Sequence, residues 1–213
     1  AMTRFFRFVL AHPVWTLLAL AGVTLAFGLF LPRIGFQADY SKMLPEDDPI
    51  VAQYKKTRDL FGGQSVFILA VVAEEGGSLF DLPSLQKLYA VTAELEKLKD
   101  EGFVEEVVSP ANVKIVEGTA AALLVHPILP GAPETEEDVQ VFREKALAER
   151  MVRDNLILSD GSGALIVLRL SSKVEVREDI QAQILARLEE ISAKYAGPER
   201  FYISGNAAFL VYV

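Results

Sequence analysis

The sequence predicts an α+β protein with one N-terminal transmembrane helix. Three observations carry that reading. Residues 8–31 form an uncharged run of 24 residues. Beyond it, short β-rich runs alternate with long segments that each carry one apolar stripe at helical spacing. All 29 acidic residues lie after residue 35, against 21 basic residues in the whole chain, for a formal net charge of −8 at pH 7. That acidic balance argues against a nucleic-acid partner, which needs a basic footprint. The absence of Cys excludes disulfides, a thiol nucleophile and Cys-ligated metals, and no cofactor is expected.

The uncharged run, FVLAHPVWTLLALAGVTLAFGLFL, is long enough for a helix rising about 1.5 Å per residue to cross a hydrocarbon core about 30 Å thick. Pro13 falls in the first turn, where a missing N–H costs little. A cleaved signal peptide would have a shorter run and a small-residue cleavage site. A buried soluble helix is disfavoured, because no polar residue marks a solvent face. Arg4 and Arg7 precede the run and Glu46, Asp47 and Asp48 follow it, so the positive-inside rule puts the N-terminus in the cytoplasm. The expected location is a bacterial inner membrane, with the main domain in the periplasm.

The domain expectations follow. Residues 1–35 are the cytoplasmic N-terminus and membrane helix. Residues 36–63 are a connector with a short amphipathic helix from Ile50, stopped by Gly62 and Gly63. Residues 64–205 are the main domain. Its first strand is the apolar run 65–73. Asp81-Leu82-Pro83 opens a helix to Asp100 whose stripe is Leu85, Leu88, Thr92, Leu95 and Leu98. Residues 103–108 form a second strand. An insertion, about 116–154, begins with an Ala-rich apolar stretch of ambiguous type and ends in a helix capped by Thr135 and Asp138, running to Arg153. Residues 156–170 read as a hairpin turning at Asp160-Gly161-Ser162-Gly163. A helix over 175–195 buries Ile180, Ile184, Leu188, Ile191 and Tyr195, and 201–204 is a strand. Residues 206–213 are expected to begin the segment leading to a second membrane helix. Without its helical insertion the order is βαβ-βαβ, the split arrangement of a ferredoxin-like sandwich.

Catalytic motifs are missing. The Asp160–Gly163 segment lacks the Lys and helix start of a phosphate cradle and reads as a turn. Glu46-Asp47-Asp48 lacks the spacing of a calcium loop. Glu74-Glu75 and Glu105-Glu106 read as exposed strand ends. His12 reads as interfacial and His126 as a loop residue. No nucleophile–base–orienter set is present, so no enzymatic activity is expected.

Several segments in order resemble one family. Arg7-Phe8 to His12-Pro13-Val14-Trp15, leading into an apolar helix, resembles the start of RND-superfamily exporters, most closely the MMPL-like and hopanoid-exporter branch. Asp39-Tyr40-Ser41-Lys42-Met43-Leu44-Pro45-Glu46-Asp47-Asp48-Pro49 is similar to the entry of their first porter domain. Leu60-Phe61-Gly62-Gly63, Ser109-Pro110-Ala111-Asn112-Val113, Leu158-Ser159-Asp160-Gly161 and Ile203-Ser204-Gly205-Asn206 continue the pattern. The resemblance implies the N-terminal part of a proton-driven exporter of lipids, hopanoids or drugs: the first membrane helix plus a ferredoxin-like periplasmic porter domain. The family's proton-relay acids lie in later helices, so none is carried onto this chain. Implied partners are the lipid bilayer, an amphiphilic cargo and the rest of the transporter, with homo-oligomer formation left open. The expected cargo path is the loop-rich part of the insertion, residues 116–133, with Leu123, Leu124 and Ile128. A single-pass anchored periplasmic scaffold is the alternative.

Overall fold

The computed structural model describes residues 10–30, 48–61, 65–118, 123–158, 160–174 and 177–212. The chain divides into two compact units, Ala1–Tyr40 and Ser41–Val213. The domain-entry stretch 39–47 and Gly62-Gly63 lie outside the described residues.

The first unit holds helix α1, Pro13–Phe30, of 18 residues. At about 1.5 Å per residue it is about 27 Å long, short of the roughly 30 Å of a hydrocarbon core. Among the described residues no helix is long and apolar enough to cross a membrane. The span expected over residues 8–31 is therefore not met by the described residues alone; residues 8, 9 and 31 lie outside them. The Thr16 and Thr24 hydroxyls donate to the carbonyls of His12 and Leu20, each at 3.0 Å, so both polar groups are satisfied inside the helix.

The second unit is α+β. Helix α2, Pro49–Phe61, begins where the Ile50 N–H donates to the Asp48 carboxylate at 2.7 Å. Strand β1, Val66–Val72, alternates half-buried and buried residues, as a strand covered on one face must. Helix α3, Leu82–Asp100, starts at Asp81, whose side chain accepts from Ser84 N, and has proline in its first turn. It stops at Gly102, which takes φ +75°. Strand β2, Val104–Val108, is bulged between Val104 and Glu106 where it pairs with β5, Gly163–Leu170. Helix α6, Glu178–Lys194, and strand β6, Arg200–Ser204, complete the second β-α-β unit.

The four-stranded sheet has the order β2-β5-β1-β6, with all neighbours antiparallel. Each β-α-β crossover thus skips one strand, and the skipped strand belongs to the other unit. Phe67, Leu69, Val71, Ile166, Leu168 and Leu170 point to one face and share a core with Leu85, Leu88, Leu95, Ile184 and Leu188 of the two long helices. The opposite face, with Ile68, Ala70, Leu165 and Val167, is only half-buried.

Three expectations within this unit need correction. The insertion is not purely helical. It opens with a separate hairpin, β3 (Lys114–Gly118) and β4 (Leu123–Pro127), before helices α4 (Glu136–Ala148) and α5 (Arg150–Asn155). The Ala- and Leu-rich composition hides a period of two: Val116 lies opposite Val125 and Ile115 opposite His126. The helix expected to reach Arg153 breaks at Glu149, whose ψ of 109° is extended. The break returns Val152 and Leu156 to the core. Finally, the first arm of the 156–170 hairpin is a single bridge, Ile157 to Ala164, flanked by bonds from Leu165 N to Leu156 O and Leu158 N to Gly163 O. Strand β2 stops opposite Val167, and this short arm takes its place along the same edge of β5.

The end of β6 is fastened to the start of β1. Gly205 adopts φ +109°, and a Cβ there would sit 2.3 Å from the Val66 carbonyl oxygen. The next residue, Asn206, accepts a hydrogen bond from Val66 N at 2.8 Å. It opens α7, Asn206–Tyr212, whose Ala207 and Ala208 are buried in the same core. Gly205→Ala meets both a disfavoured φ and a backbone clash, and should cost roughly 2–3 kcal/mol in denaturant unfolding. Asn206→Ala loses one bond to an edge amide and should cost about 1 kcal/mol.

Candidate functional site

The polar motifs prove to be structural. In the Asp160–Gly163 turn, Ser162 donates to Asp160 Oδ1 from its backbone N (2.9 Å) and its hydroxyl (2.6 Å). Gly161 takes φ +74° there and its carbonyl accepts from Leu79 N. Glu106 bonds Arg169 across the β2–β5 pair at 2.7 Å. Glu74 and Glu75 lie exposed beside a turn. The His126 Nδ1 is 2.7 Å from the Pro127 carbonyl oxygen. Glu46 and Asp47 lie outside the described residues. Among those described, no three His, Cys, Asp or Glu residues are grouped to hold a metal.

Two apolar surfaces remain. The first is α1, where Val14, Trp15, Leu17, Leu18, Leu20, Val23, Leu25, Phe27 and Leu29 are all exposed. Consecutive and i+3 positions project to every side of a helix, so no face of α1 is polar. The second is the β3–β4 hairpin. Val116 (57%), Leu123 (74%) and Val125 (62%) share one face by register, and Leu124 (50%) projects to the other. Of the expected cargo-path residues, Leu123 and Leu124 therefore lie exposed on opposite faces of β4. Ile128, at 2%, packs in the core just beyond the strand.

A buried charge cluster was not legible in the sequence. Glu199, 5% exposed, accepts from the Ser84 hydroxyl at 2.8 Å and pairs with the Lys87 ammonium. Ser84 lies 3.0 Å from Asp81 through a second side-chain bond. The cluster ties the first turn of α3 to the loop before β6, 112 residues away for Lys87. Burial opposes the Glu199 charge, but the bonds from Lys87 and Ser84 outweigh it and hold its carboxyl below the ordinary value. Nearby, Phe142 of α4 packs edge-on against Tyr89 of α3 and lies 6.4 Å from Phe80, over which Arg143 sits. The Tyr89 hydroxyl is buried with no hydrogen-bond partner among the described residues, and burial pushes it up to about 12.

The residues that carry the family resemblance also serve the backbone. Asn112 donates to Val107 O (2.8 Å) and Glu96 (2.9 Å) and accepts from Ser109 N (2.9 Å). The Ser109 hydroxyl is 2.9 Å from that of Thr92 on α3, fixing the exit of β2 against the helix.

No family model matches the chain. It is similar to a protein of Methanocaldococcus jannaschii named as a "putative membrane protein", with 25% identity over 130 residues. The match covers 60% of this chain and 32% of that relative.

Two outcomes follow from the buried groups. Because the folded Glu199 value is depressed, its contribution to stability is complete above the ordinary 4.5 and is lost as pH falls through the folded value. Lys87→Met leaves a buried carboxylate without its cation and should cost roughly 3 kcal/mol at pH 7, with a smaller loss at pH 3, read by urea unfolding. Tyr89→Phe removes an unpartnered hydroxyl, so the melting temperature should hold or rise.

Proposed function

We propose that the chain is the N-terminal part of an RND-type, proton-driven membrane exporter of hydrophobic or amphiphilic molecules. In this reading residues 8–31 span a bacterial inner membrane from a cytoplasmic N-terminus. The second unit is a ferredoxin-like periplasmic porter domain that guides cargo, and the rest of the transporter chain supplies the proton pathway.

The observation that carries the reading is α1. An uncharged helix with large apolar side chains exposed on every side is stable in hydrocarbon and costly in water, at about 25 cal/mol per Å² of apolar surface. Its two threonines bond their own backbone, as hydroxyls in lipid must. The strand order β2-β5-β1-β6 with two split β-α-β units fits the ferredoxin-like expectation. The name of the archaeal relative is consistent with a membrane location. Leu123, on the face it shares with Val116 and Val125, and Leu124, on the opposite face, are the exposed positions along which an acyl chain or ring would slide, with about 0.8 kcal/mol per buried methylene.

Trp15 is the single tryptophan of the chain and reports α1 directly. In vesicles of brominated lipid its emission should be strongly quenched; full emission at lipid-bound protein rules out the span. In cells, Leu123→Asp combined with Leu124→Asp should lower cargo export several-fold at unchanged protein level. Unaltered export removes the cargo path. Ile128 is unsuited to that test, because a polar residue there disrupts the core.

A further inference from the structure

We draw no further inference here: the strongest candidate, the half-buried outer face of the four-stranded sheet with Ile68, Ala70, Leu165 and Val167, carries none because nothing in the structure shows what covers it.

Discussion

Strand β1 is the element on which the second unit depends. It is hydrogen-bonded on both edges, to β5 along its whole length and to β6 from Ile68 to Val72. The two β-α-β units share no helix, and the sheet joins them: each neighbouring pair of strands, β2–β5, β5–β1 and β1–β6, takes one strand from each unit, with β1 and β5 at the centre. Every inward residue of β1 is fully buried, and a one-residue slip would turn Phe67, Leu69 and Val71 out of the core. The register is therefore set by burial, and it is secured at one end by Gly205 and Asn206. The close approach at Val66 admits only glycine, and the amide that would otherwise be left at the strand start is taken by the Asn206 side chain.

Long-range polar contacts act on the same joint from the helical side. Glu199 precedes β6, while Ser84 and Lys87 lie in the first turns of α3, which follows β1. A buried carboxylate held by an ammonium and a hydroxyl is weak evidence for net stability, since desolvation offsets much of the attraction. Its effect is directional. Only one placement of β6 relative to α3 satisfies all three groups. The aromatic contact of Tyr89 with Phe142 does the same for the insertion, seating α4 on α3 without any hydrogen bond from the hydroxyl.

What the sequence made legible were the elements whose burial is one-sided. Helix α3 declares itself through Asp81, Pro83 and a leucine stripe, and its described bounds fall within a residue of the expected ones. Helix α6 and strands β1 and β6 are similarly plain. The hairpin was illegible because its apolar residues face both ways: Leu123-Leu124-Val125 shows neither the two-residue alternation of a half-buried strand nor the spacing of a helix. The break at Glu149 was hidden because Glu is a good helix former, and the return of Val152 to the core is a tertiary demand. The Glu199 cluster joins residues 112 and 115 apart, a pairing that no local pattern encodes. Of the expected cargo path, Leu123 and Leu124 are at the surface. Ile128 differs because Pro127 ends the strand and the chain then turns into the core.

The family resemblance and the apolar surfaces testify to different things. Asn112 and Asn206 satisfy backbone groups, Gly205 allows a close approach, and Asp160 shapes a turn; each serves the backbone of this fold. Matches at those positions speak for the fold and carry little information about chemistry. The exposed leucines of α1 and of β4 are the opposite case. Nothing in the core requires them, and in water each costs free energy in proportion to its apolar area. Single exposed leucines are ordinary; a contiguous run of them, as on α1, marks a surface that an apolar medium or partner would cover. The exposed leucines of α1 and β4 are thus the parts of the chain that the fold itself does not explain.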